Sequence, residues 1–242
     1  MSIAKTARTR LARRWLRLAA LMAVAASLTG CMTPGAADPS RTGPFYVPTN
    51  VRADPSLGGI RRVVVLPVWS GEAAPAETAA ELDAVVVAAL QDSKRFEVVS
   101  LSREAALRKF RLESLSSVSA LPHGMFETLQ RDFAADAVLF VDITVYRAYR
   151  PLAIGLRSKL TKIAGAHQIW AFDNVFSADD ASVANAARNH FIGADQRAPV
   201  DLTHGVLQSP SRFATYATTA MFATLPPVLP PPMPKTAPSS NR

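Results

Sequence analysis

Apolar residues fall along the chain in short runs and stripes whose spacing assigns most of the elements. Val63-Val64-Val65-Leu66-Pro67-Val68 is a nearly unbroken β-branched run, the mark of a strand buried on both faces. After Pro75, Leu82, Val85, Val86, Ala89 and Leu90 recur at helical spacing and predict an amphipathic helix. Phe96-Glu97-Val98-Val99 reads as a second strand. Ser102 is placed to cap a helix that turns Leu107 and Phe110 inward. A serine-rich loop follows, then a helix over about residues 123–134 with Met125, Phe126, Leu129 and Phe133 on its inner stripe. The longest strand spans residues 137–146. Val138 to Val141 are apolar on consecutive positions, whereas Asp142-Ile143-Thr144-Val145 alternates, as if the strand leaves the core for a half-exposed edge. Residues 154–163 and 167–176 predict a hairpin around Gly165. Ser177 and Asp180 resemble a capping box for a helix carrying Val183, Ala187 and Phe191. Ser209-Pro210 opens the last helix, whose stripe is Phe213, Ala217, Ala220 and Met221.

The predicted order is β-α-β-α-α-β-β-β-α-α. Early crossovers imply parallel pairs and the later hairpin adds antiparallel ones. The fold class is therefore α/β, a three-layer-like mixed β-sheet of about five strands with helices packed on it. A core of this size is stable without a disulfide or a metal.

The two ends lack these periods. Residues 18–29 are apolar or small, behind six basic residues, an arrangement that predicts an export signal over residues 1–30. A helix of that length spans about 18 Å, short of the roughly 30 Å hydrocarbon core, so it does not read as a permanent membrane span. The stretch closes on Leu28-Thr29-Gly30-Cys31, which resembles the lipobox read by the lipoprotein signal peptidase. Small residues let the chain lie extended there, and the Cys31 thiol is the acceptor of the lipid. Acyl chains on that residue, palmitate among them, anchor stably, at roughly 0.8 kcal/mol per buried CH₂. Residues 31–59 hold five prolines and four glycines and read as the lipidated cysteine followed by a flexible tether. Phe45-Tyr46-Val47 is a small apolar patch within it. The domain proper is expected over residues 60–225. Residues 226–242 form a proline-rich, disordered tail, of which residues 229–234 favour polyproline II, a conformation that aromatic grooves bind.

Charge adds less than its total suggests. The chain carries a net +8, but six of its 27 basic residues precede the first acid, Asp38. The remaining 21 stand against 19 acidic residues, a near balance that gives no case for nucleic acid as a partner.

No constellation for catalysis emerges, and no cofactor or metal is expected. Cys31 is the only cysteine, so lipidation leaves no thiol for a disulfide, a metal or a nucleophile. His123, His167, His190 and His204 show no ligand spacing, and His190 beside Phe191 reads as a hydrogen-bonded histidine at the core edge. Asp173, Asp179 and Asp180 cluster near a strand-to-helix turn without a calcium-loop pattern, and a helix's first turn favours acids. Ser100, Ser102 and Ser209 read as caps, with no nucleophile elbow around any serine. Gly58-Gly59 has no phosphate-loop lysine beside it. Tyr146, Tyr149 and Arg150, in the loop Tyr146-Arg147-Ala148-Tyr149-Arg150-Pro151-Leu152, are the candidate partner-binding residues, because Tyr and Arg most often anchor interfaces.

Arg61-Arg62-Val63-Val64-Val65-Leu66-Pro67-Val68, the helix after it and Lys94-Arg95-Phe96-Glu97-Val98-Val99 resemble one superfamily. It comprises the curli-secretion lipoprotein CsgG, the penicillin-binding-protein activator LpoB and the N-terminal domain of the Tol-system propeller protein. The likeness continues through residues 135–146, Ala135-Asp136-Ala137-Val138 onward, and ends at Gln168-Ile169-Trp170. It departs from the family pattern at Trp69-Ser70 and in the proline-rich end. The motif is one of apolar strands, so it specifies a fold more than an activity.

The resemblance implies a non-catalytic, lipid-anchored binding module on the outer membrane, its domain in the periplasm, recruiting or activating a cell-envelope assembly protein. Met32, where the enterobacterial sorting rule places aspartate for inner-membrane retention, agrees with the outer membrane. The alternative it implies is a subunit of a CsgG-type secretion ring, which leaves a homo-oligomer open. Membrane-spanning hairpins for such a pore need about 9 to 11 alternating residues per strand, and the irregular stretches 111–122 and 193–208 lack them. A lipid-anchored hydrolase stands third, without a catalytic constellation.

Overall fold

The computed structural model describes residues 38–55, 57–194 and 204–227. Leu28, Thr29, Gly30, Cys31 and the proline-rich stretch 229–234 lie outside these residues. Six strands form one sheet: β1 Val51–Ala53, β2 Arg62–Val65, β3 Glu97–Ser100, β4 Ala137–Arg147, β5 Ala153–Lys162 and β6 His167–Ser177, in spatial order β1-β6-β5-β4-β2-β3. The α-helices of the described residues are α1 Pro39–Thr42, α2 Ala76–Asp92, α3 Arg103–Phe110, α4 Met125–Phe133, α5 Ala181–Ala194 and α6 Pro210–Ala223. A 3₁₀ turn, His204–Gln208, precedes α6.

Parallel pairing joins β2 to β3 and β4 and continues to Trp69, which bridges to Asp142. Val63 lies opposite Val98 on β3 and Ala137 on β4, and both connections carry helices, as parallel crossovers require. β4, β5 and β6 form an antiparallel meander, Leu139 opposite Leu160 and Leu160 opposite Trp170.

Alternation along the central strands divides the core in two. Val63, Val65, Leu139, Val141, Ile143, Leu156, Trp170, Phe172 and Phe176 pack beneath α2, α5 and α6. Val64, Leu66, Val138 and Phe140 pack beneath α3 and α4. These are the three layers the pattern predicts. Leu66 is 1% exposed and Phe140 3%, so both β-branched runs are central strands. Ser102 and Ser209 cap their helices, accepting from Ala105 N at 3.2 Å and Arg212 N at 3.4 Å.

The structure corrects the sequence expectations in several places. The sheet has six strands, because the stretch read as tether from residue 39 onward packs against the domain. Val51 in β1 pairs with Phe172 on the β6 edge, and Leu57 is buried. Tyr46 turns its ring edge to Phe176 at 5.5 Å and donates its hydroxyl to Asn174 Oδ1 at 3.2 Å. Asn174 in turn donates to Asn50 O at 3.1 Å and accepts from Asn50 N at 3.4 Å. Prolines break helical and strand periods but do not prevent edge pairing, which needs only extended backbone. Of the apolar patch, Tyr46 docks, while Val47 is 71% exposed.

Asp142, expected at a half-exposed edge, is fully buried, since β4 lies between β2 and β5. Leu107 faces outward instead of inward. Ser100 is the last residue of β3 and not a cap. No capping box forms at α5, where the Asp180 carboxylate itself accepts from Ser182 N and Ser182 Oγ at 2.7 Å each. Those bonds hold the Asp180 carboxyl below its ordinary range.

Candidate functional site

The strand β4 decides where the tyrosines point. A register shift between Ile143 and Val145 turns Val145 outward and sets Tyr146 opposite Ile154. Tyr146 is therefore half-buried against the core and lines a small cavity of about 70 Å³ with Leu82, Val85 and Ala214. It is a packing residue. Tyr149 sits at the β4–β5 turn with 84% of its surface exposed. Arg150 follows it and lines an open cleft of about 400 Å³ with Pro151, Ala178, Arg188, Leu207 and Gln208. The structure thus separates Tyr146 from Tyr149 and Arg150.

Arg188 is the residue that the sequence pattern did not single out. It is the one charged side chain of α5, whose sequence is otherwise small, apolar or neutral polar. Its neighbour Ala187 is fully buried and Arg188 itself partly so, which brings its Nε out of solvent with no hydrogen-bond partner. Neither Arg150 nor Arg188 forms an ion pair among the described residues. Of the acids just before α5, Asp179 pairs with Arg147 at 3.3 Å and Asp180 caps the helix.

Two other concave surfaces contain ion pairs of their own. In one of about 440 Å³, Asp83 binds Arg103 Nε at 2.8 Å, and Arg103 Nη2 also donates to Val68 O at 2.8 Å. Burial nevertheless raises the Asp83 carboxyl above its ordinary range, against the Val68 N–H and the Arg103 guanidinium that oppose it. In another of about 290 Å³, on the sheet face that α3 and α4 leave bare, Arg157 pairs with Asp173 at 2.8 Å and Lys159 donates to Ser117 O at 2.7 Å. Asp173, Asp179 and Asp180 are thus committed to an arginine, an arginine and a helix cap. No group of His, Cys, Asp and Glu suited to a metal ion occurs among the described residues.

His190 makes no hydrogen bond among the described residues. It packs edge-on to Phe191 at 5.0 Å and near Tyr216 at 6.1 Å, so its contacts are aromatic and not the hydrogen bond expected of it. Burial lowers its pKa from the ordinary histidine value. Tyr216, whose hydroxyl is buried without a partner, is pushed upward by the same desolvation.

No protein-family model and no curated protein matches the chain. Among solved structures it is similar to the PelC dodecamer from Paraburkholderia phytofirmans, at 12% identity and a TM-score of 0.42, over 72% of this chain and 94% of that one. It is similar to lipoprotein GNA1162 from Neisseria meningitidis at 16% identity and a TM-score of 0.35, over 48% and 79% of the two chains. The C-terminal domain of LpoB from Escherichia coli is similar at 19% identity and a TM-score of 0.34, over 51% and 86%. LpoB, named by the sequence resemblance, is thus among the structures that the chain resembles. Among the described residues no helix is long and apolar enough to cross a membrane.

Proposed function

We propose that this chain is a non-catalytic adaptor, anchored through a lipid on Cys31 to the periplasmic face of the outer membrane, that recruits a protein of cell-envelope assembly. The observation that carries this reading is the β4–β5 turn, where Tyr149 is 84% exposed beside Arg150 and an open cleft. An exposed aromatic next to a guanidinium is the usual composition of an interface anchor. The Leu28-Thr29-Gly30-Cys31 motif supplies the anchor, and the three-layer core supplies a rigid support for the turn.

In-cell photo-crosslinking tests it. With a benzophenone amino acid in place of Tyr149, the full chain is expected to give a discrete protein adduct. Cys31→Ser, which removes the lipid acceptor, is expected to abolish that adduct. A Tyr149 position that captures nothing while a site elsewhere on the domain does would refute the interface assignment.

A further inference from the structure

We infer that the cleft between the β4–β5 turn and α5 is a carboxylate-binding site, taking an aspartate or glutamate side chain of a partner polypeptide between Arg188 and Arg150. This rests on the recruiting role proposed above for the source of the carboxylate.

Charge is the first argument. A guanidinium taken out of water costs free energy unless hydrogen bonds or a counter-charge compensate it. Among the described residues Arg188 forms no ion pair, and its Nε is enclosed without a hydrogen-bond partner. Arg150 brings a second cation to the same cleft, and Gln208 an amide on its rim. Asp179 and Asp180, which precede α5, are held by Arg147 and by Ser182. The α6 helix begins just after Gln208, so the positive end of its dipole adds to the same field.

Shape gives the ligand class. The cleft of about 400 Å³ is walled partly by Pro151, Ala178 and Leu207. An acidic side chain brings methylenes for those walls and two coplanar oxygens that match a guanidinium fork. A phosphate group has no such apolar part to place against those walls. The lining of this cleft brings two arginines together with no acid among the described residues that form it.

Binding of a fluorescein-labelled tetraglutamate peptide to the full chain, purified in detergent, tests the site. Wild-type protein is expected to bind it and to ignore tetralysine. Arg188→Gln should weaken binding about tenfold or more, with Arg150→Gln weakening it less. Arg131→Gln, which removes a 71% exposed cation on α4, should leave it unchanged. Arg188→Gln should melt no lower than wild type, because no ion pair or hydrogen bond of the Arg188 side chain among the described residues is lost.

Equal loss in Arg131→Gln, or none in Arg188→Gln, overturns the site. A clear drop in the melting temperature of Arg188→Gln overturns it too, by making Arg188 a structural residue. Inorganic phosphate that displaces the peptide at lower concentration than acetate does would reassign the cleft from carboxylate to phosphate. If the peptide binds as expected and the Tyr149 crosslink fails, the recruiting role falls alone. If the crosslink forms and Arg188→Gln binds the peptide normally, the carboxylate site falls alone.

Discussion

Ser117 closes over Asp142. Its backbone N–H and its hydroxyl both donate to the buried carboxylate, to Oδ1 at 2.9 Å and to Oδ2 at 2.8 Å. Ser116 Oγ adds a third donor at 2.9 Å, and Lys159 holds Ser117 O from the far side at 2.7 Å. The loop between α3 and α4 is thereby tied to the middle of the central strand.

Asp142→Ala leaves those serine donors without an acceptor. Removing one side of a buried hydrogen-bonded group costs more than a surface bond, here about 3 kcal/mol. Urea unfolding should show that loss, and amide exchange should accelerate most at Ser117. A loss below about 1 kcal/mol with unchanged exchange would mean that the loop is held by something else.

Asn174→Ala should release the segment that carries β1. Asn174 holds Tyr46 and Asn50 by three hydrogen bonds, at 3.2, 3.4 and 3.1 Å. The expected cost is about 2 kcal/mol. Limited proteolysis should cut within residues 39–55 of the variant before the domain unfolds. Equal cleavage of variant and wild type would show that Asn174 does not hold the segment.

The central strands were legible because their signal is local. Val63 to Val65 and Val138 to Val141 are apolar on consecutive positions, and only a strand covered on both faces accommodates that. β1 was not legible: Val-Arg-Ala has no period, and its pairing with β6 is made by backbone alone. Alternation around Asp142 has the pattern of a solvent-exposed edge, whereas its polar face meets a loop of serines. In the candidate site, Tyr149 and Arg150 followed from residue type. Tyr146 did not belong with them, since a register shift in β4 sends it inward. Arg188 is not legible in the sequence, because a lone cation beside an apolar stripe has the pattern of a solvated face. Only the tertiary placement of α5 encloses it.

His190 supplies a pH dependence. Burial holds its imidazole below the ordinary value of 6.5, so the unfolded chain binds the extra proton first. Stability from this site is complete above the unfolded value and is lost as pH falls from there through the folded one. The melting temperature should therefore drop as pH falls below the ordinary histidine value of 6.5, and the His190→Phe variant should drop less. Parallel curves for the two proteins would remove His190 as the cause.

The central claim is that the β4–β5 turn is an interface and not a support. The most direct measurement compares the affinity of the double variant Tyr149→Ala, Arg150→Ala for the crosslinked partner with its melting temperature. Truncation of two exposed anchors should weaken capture by about 2 kcal/mol, roughly thirtyfold, while the melting temperature stays where it was. A variant that melts normally and binds the partner as tightly as wild type would contradict the account.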